Sequence, residues 1–188
     1  MTVKKVLALL CIVCMLSGCV NEESNLKRGI ALREKLLGAQ LCSFHATITA
    51  DYGDKTYSFK MQCSADKEGN VSFTVLEPES ISGICGVLSA TGGKLTFNDT
   101  ALAFPMLADG EVSPVSAPWL LIHTLRSGYL SSCAVDEGQI FLTINDSYEA
   151  DALQLDIWLD DQDLPESAQI VWQGRRVLSL TVEDFAIV

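Results

Sequence analysis

The chain has 188 residues, 48% of them hydrophobic, and 24 acidic against 13 basic side chains give it a formal net charge of −11. An acidic balance of that size excludes a general nucleic-acid binder, because phosphates are met by Lys and Arg. The length is enough for one domain with a full hydrophobic core.

The first recognisable element is at the amino terminus. Lys4 and Lys5 precede an unbroken apolar run over residues 6–16. A run of about eleven residues suits the core of an export signal and falls short of the ~20 that a bilayer-spanning helix needs. It closes in Leu16-Ser17-Gly18-Cys19, which resembles the lipobox of bacterial lipoproteins. That resemblance implies removal of residues 1–18, a diacylglyceryl group on the Cys19 thiol, and attachment to the extracytoplasmic face of the cell membrane. Without Lys4 and Lys5 the remainder carries 11 basic and 24 acidic residues, a net charge of −13. It also retains Cys42, Cys63, Cys85 and Cys133 beside the acylated Cys19. Outside the cytosol an even set reads first as disulfides. Zinc is disfavoured, since no two of these thiols have C-x-x-C spacing and only His45 and His123 could assist.

Residues 19–25 read as the lipidated cysteine and a polar tether that reaches no more than ~20 Å. Over residues 26–41 a helical stripe of Leu26, Ile30, Leu37 and Leu41 follows, with Ser24 or Asn25 as cap. Lys27, Arg28, Arg33 and Lys35 make this segment locally basic. They would either touch anionic headgroups or form an ordinary solvated face.

The period then changes from helix to strand. Cys42, Phe44, Ala46 and Ile48 alternate with polar residues, as do Tyr57, Phe59, Met61 and Cys63 after a turn at Tyr52-Gly53. A turn there sets Cys42 opposite Cys63 and Phe44 opposite Met61, which predicts a Cys42–Cys63 disulfide and leaves Cys85–Cys133 as the second. Further strands are predicted at residues 71–75, 84–90, 94–97, 139–144, 153–159, 168–172 and 175–182. Residues 98–112 read as loop. Between Pro114 and Gly128, the run Trp119-Leu120-Leu121-Ile122-His123-Thr124-Leu125 reads as a short apolar helix. The fold class is α+β: a strongly curved antiparallel sheet of about nine strands, a half-open β-barrel, with an N-terminal helix and an inserted central helix.

This order of elements resembles the lipoprotein-carrier fold of LolA and LolB over residues 26–188. The ending Leu164-Pro165-Glu166-Ser167-Ala168-Gln169-Ile170-Val171-Trp172-Gln173-Gly174-Arg175 is similar to that family's closing hairpin, and residues 113–125 sit where it places its cavity-plugging helix. The resemblance implies a hollow that holds an acyl chain or lipid. Phe44, Ile48, Phe59, Met61, Phe73 and Val75 would line it, with Trp119, Leu120 and Leu125 as a movable lid. The alternative is a half-barrel that serves only as scaffold, its surface docking an envelope protein such as a cell-wall enzyme. No catalytic set is evident: there is no Gly-x-Ser-x-Gly elbow, no His-Glu-x-x-His and no phosphate-cradling loop. No enzyme activity, cofactor or metal is therefore expected, and Asp160, Asp161 and Asp163 read as a solvated turn.

Overall fold

The computed structural model describes residues 18–97, 100–104, 107–108, 111–149 and 151–188. The expected export signal lies outside them, as does the side chain of Cys19. Helix α1 (Gly18–Gly38) leads into a meander of β1 (Leu41–Asp51), β2 (Thr56–Asp66), β3 (Val71–Glu77), β4 (Cys85–Ser89), β5 (Gly92–Phe97) and β6 (Thr100–Phe104). A small hairpin, β7 (Leu107–Ala108) and β8 (Glu111–Val112), precedes helix α2 (Ala117–Ser127). A second meander closes the chain: β9 (Tyr129–Asp136), β10 (Gln139–Asn145), β11 (Gln154–Leu159), β12 (Pro165–Trp172) and β13 (Arg175–Ile187).

Among the described residues, eleven strands form one antiparallel sheet in the order β6-β5-β4-β3-β2-β1-β13-β12-β11-β10-β9. The last strand lies beside the first, so the two meanders become one surface. The chain must therefore pass from one edge, β6, to the other, β9. It crosses the apolar face, and that route dictates the composition of α2. From Ala117 to Leu125 only His123 is not buried, because a helix between two halves of a sheet meets apolar side chains on every side. Among the described residues no helix is long and apolar enough to cross a membrane.

The architecture expected from the sequence is present, with eleven strands in place of nine. The two missed strands are the edges. In β6 no residue is buried, and in β9 only Cys133 is. An edge strand held by its ladder alone needs no alternation of apolar and polar residues, so no period-2 pattern marks it.

Helix α1 differs from expectation in extent and in face. It begins at Gly18, so the segment read as a tether belongs to it. It buries Gly29, Leu32 and Leu36, while Leu26, Ile30 and Leu37 stay exposed. The reason is proximity. A Cβ built on Gly29 would stand 3.0 Å from Leu142 Cδ2, so the glycine side lets the helix approach β10 more closely than a leucine side would.

The β1–β2 hairpin is shifted by two residues from the expected register. Cys42 lies opposite Ala65, Phe44 opposite Cys63 and Ala46 opposite Met61. The connection holds four residues, not two. Tyr52 N donates to Lys55 O at 3.0 Å, and Gly53, with φ +89°, donates its N–H to Asp51 Oδ1 at 2.9 Å. A two-residue shift leaves every side chain on its face, so the predicted inward set survives the error. Glu137-Gly138 and Gln173-Gly174 are two-residue links with positive φ throughout, the geometry that matches strand twist.

One core cluster runs from Leu32 to Phe185 and draws on both meanders and both helices. Every residue of the described core cluster lies within residues 20–188.

Candidate functional site

The expected lining residues do come together, as packing. Phe44, Ile48, Met61, Phe73, Val75, Trp119, Leu120 and Leu125 are buried in the core cluster, and Phe59 packs against it. Trp119, Leu120 and Leu125 all sit on α2 and belong to the core cluster. None of the clefts described below is lined by any of these nine side chains.

The cysteines are arranged differently from the expected bonds. Cys42, Cys63 and Cys85 carry free thiols. The shifted register places Cys42 and Cys63 diagonally across the ladder instead of face to face. Cys85 lies on the outer face of β4, where it alternates with buried Leu88, whereas Cys133 points into the core from β9. A disulfide needs its two Cα atoms within about 7 Å and converging Cβ vectors, which opposite faces cannot supply. Burial pushes the Cys42 thiol up to about 12, and burial together with the neighbouring Cys42 raises Cys63 as well.

The basic residues of α1 are engaged within the molecule. Arg28 Nε donates to Asp163 Oδ1 at 2.7 Å, a bond that raises the Arg28 pKa. Arg33 reaches the end of α2, donating from Nε to Leu125 O at 2.7 Å and from Nη2 to Gly128 O at 2.8 Å. It thereby satisfies carbonyls that a helix end leaves without partners. Lys27 pairs with Glu23 at 2.8 Å. Arg33 is a part-buried clamp, whereas Arg28 holds Asp163 on the exposed, solvated face. On the far side of α2, Arg126 donates to the backbone carbonyls of Asp66 and Lys67 and fixes the helix to the β2–β3 turn.

His123 and Ser127 lie one helical turn apart near Asp146, a triad by residue type. The geometry is not that of a triad. Ser127 Oγ stands 3.5 Å from both ring nitrogens, and one oxygen cannot lie along two divergent in-plane directions. The hydroxyl instead donates to the His123 carbonyl at 2.8 Å. Partial burial lowers the His123 pKa, and the ring stacks on Trp119 with centroids 4.4 Å apart. His45 lies on the outer face of β1, 3.2 Å from Asp184 Oδ2.

A partly enclosed opening lies at one mouth of the half-barrel. There β1 ends and β13 begins, a juxtaposition fixed by the pairing of Ala50 with Leu178. Tyr52 and Trp172 form its walls, Val112 and Leu178 its apolar floor, and Asp51 and Arg175 add one charge of each sign; the volume is about 330 Å³. In the sequence Trp172 and Arg175 read as the ends of two strands and Gln173-Gly174 as the turn between them. Its meeting with Asp51 and Tyr52 depends on pairing between strands more than a hundred residues apart, for which a single sequence carries no local signal.

No protein-family model matches the chain, and no curated protein matches it. Among solved structures it is similar to an uncharacterised conserved protein from Thermus thermophilus, at 12% identity over 87% of each chain with a TM-score of 0.47. A LolA superfamily protein from Nitrosomonas europaea shares 9% identity over 85% of this chain and 93% of its own, with a TM-score of 0.43. The lipoprotein LppX from Mycobacterium tuberculosis shares 10% over 86% and 93%, with a TM-score of 0.41. Leading helix, meander, inserted helix and closing hairpins follow one another in the order that the sequence suggested.

Proposed function

We propose that the protein is an envelope lipoprotein, held on the extracytoplasmic face of the cell membrane by a diacylglyceryl group on Cys19, whose half-barrel takes an apolar ligand, an acyl chain or lipid, through the mouth cleft. The observation that supports this reading is the continuity of cleft and core. Val112 and Leu178 floor the cleft and also belong to the core cluster around α2. A ligand entering between Tyr52 and Trp172 therefore meets core side chains directly. At about 330 Å³ the cleft is near the lower limit of ligand sites, so it admits the end of a chain. Deeper entry requires α2 to yield at Trp119, Leu120 and Leu125. The reading assigns no catalytic step.

A fluorescent fatty-acid probe tests it. Saturable binding to residues 20–188, displaced by unlabelled fatty acid and weakened by Trp172→Asp, is the expected result. Absence of saturable binding overturns the ligand reading. The anchor is tested separately by metabolic labelling with a palmitate analogue: Cys19→Ala should lose both label and membrane attachment, and retained label would contradict the lipobox assignment.

A second reading, in which the surface docks an envelope protein, is favoured by a different observation: the apolar side of α1 that the fold leaves uncovered.

A further inference from the structure

The exposed side of α1 forms one wall of a groove. Leu26 and Ile30 face the start of β9 and the β10–β11 connection, where the rings of Tyr129 and Tyr148 lie tilted at 44° with centroids 4.9 Å apart. Tyr148 touches Tyr129 yet is 85% exposed, so most of its ring is open to a further contact. The groove holds about 690 Å³. Past the two tyrosines it continues into a second cleft of about 380 Å³ that ends at Gln173, beside the mouth.

Its lining is acidic on balance, two carboxylates against one guanidinium. Asp146 and Glu149 line it together with Arg33. The Arg33 guanidinium is held against the carbonyls of Leu125 and Gly128. On α1, Arg28 is paired with Asp163 and Lys27 with Glu23. The chain beyond residue 18 carries a net charge of −13. Such a surface repels anionic lipid and attracts cations.

We propose that this groove docks an amphipathic, cationic segment of a partner protein. Apolar anchors of that segment rest on Leu26, Ile30 and the two tyrosines, and its Lys or Arg side chains face Asp146 and Glu149. Tyrosines around an apolar floor supply large contact area at small entropic cost, and the acids set the sign of the partner. The proposal deepens the docking reading and is independent of the ligand reading, since the fatty-acid probe should bind equally well with and without Tyr148.

The test uses residues 20–188 and two short fluorescein-labelled amphipathic helical peptides with the same leucine face, one carrying lysine and its twin glutamate. By anisotropy the lysine peptide should bind saturably and the glutamate twin should not. Tyr148→Ala and Glu149→Lys should each weaken binding by about tenfold, while Glu79→Lys, a charge reversal remote in sequence and topology, should change it by less than about twofold. Tyr148 is too exposed for its loss to unfold the domain, which an unchanged melting curve would verify. No saturable binding, equal binding of the twins, indifference to Tyr148→Ala, or an equal loss with Glu79→Lys would overturn the proposal. Binding to phosphatidylglycerol vesicles that depends on Tyr148 and exceeds peptide binding would overturn it in favour of a membrane contact.

Discussion

Beneath the helices, the strands β1, β2, β10 and β11 bury alternate residues almost without exception along their inner half. In the flank formed by β4, β5 and β6 the hydrogen-bonded ladder is just as continuous, yet Val87, Phe97 and Leu102 remain exposed. Where the flank does pack, it sets an aromatic ring over a glycine. Phe73 lies opposite Gly86 and Phe104 opposite Gly93, and a Cβ on either glycine would strike the facing ring. Two regions of one sheet are thus held differently. The covered region has both ladder and core, whereas the flank sends Leu88 into the core and otherwise relies on its ladder and a few ring contacts. Pairing alone suffices to shape a strand, but burial supplies most of the stability.

The sharpest way to break this contrast is to delete the same atoms on both sides. Leu142→Ala removes a fully buried side chain between β10 and Gly29 of α1, and should cost about 2–5 kcal/mol in a urea titration. Leu102→Ala, on a residue 62% exposed, should cost no more than about 0.5 kcal/mol. Similar losses at the two positions would mean that the flank is covered in solution.

A smaller effect is expected at the clamp that holds the cover in place. Arg33→Ala leaves the carbonyls of Leu125 and Gly128 without their charged donor, at about 1.5–3 kcal/mol by the same titration. Arg33→Lys should recover little, because an ammonium cannot reproduce the guanidinium fork that reaches two carbonyls. Full recovery with lysine would reduce the clamp to simple charge at a helix end.

The same contrast explains what could be read from the sequence. Inward residues such as Phe44, Ile48, Ile140 and Ile157 were legible because burial on one face imposes period 2, and a two-residue slip in the β1–β2 register did not disturb it. β6 and β9 were illegible for the converse reason. The face of α1 was misread because its three leucine-type residues outweigh a glycine in any hydrophobic pattern, although the glycine permits the closer approach to Leu142. Arg33 read as a surface charge, since nothing local announces that carbonyls more than ninety residues later will meet it. The mouth cleft and the tyrosine groove join residues from distant elements, and their existence follows from topology alone.

Thiol chemistry sharpens the comparison further. Cys85, exposed on the flank, should be alkylated promptly by iodoacetamide in the native protein, whereas Cys42 and Cys63 should react only on unfolding. For a thiol with a raised folded-state pKa, the stability contribution is complete below the unfolded value of 9.0 and is lost as pH climbs toward about 12 for Cys42. Unfolding free energy should therefore fall by about 1.4 kcal/mol per pH unit above that value for each such thiol. Cys42→Ala should reduce the slope. A slope in that variant identical to that of the parent protein would sever the link to burial.

The smallest effect concerns a polar atom inside the cover. Thr124 is fully buried on α2, and its hydroxyl oxygen makes no hydrogen bond. A buried hydroxyl without a partner forfeits its hydration and receives nothing in return. Its methyl group, by contrast, is in use: a Cβ on Gly128 would fall 2.8 Å from Thr124 Cγ2, so the shape of the side chain is fitted to the turn where α2 gives way to β9. Valine keeps that shape and removes the oxygen. Thr124→Val should therefore be neutral or stabilising by up to about 1 kcal/mol, the reverse of the usual penalty for altering a buried site. Thr124→Ala, which removes the fitted methyl as well, should be destabilising. A loss of stability in the valine variant comparable to that of the alanine variant would show that the hydroxyl has a partner in solution, and that the interior of the cover is wetter than its packing suggests.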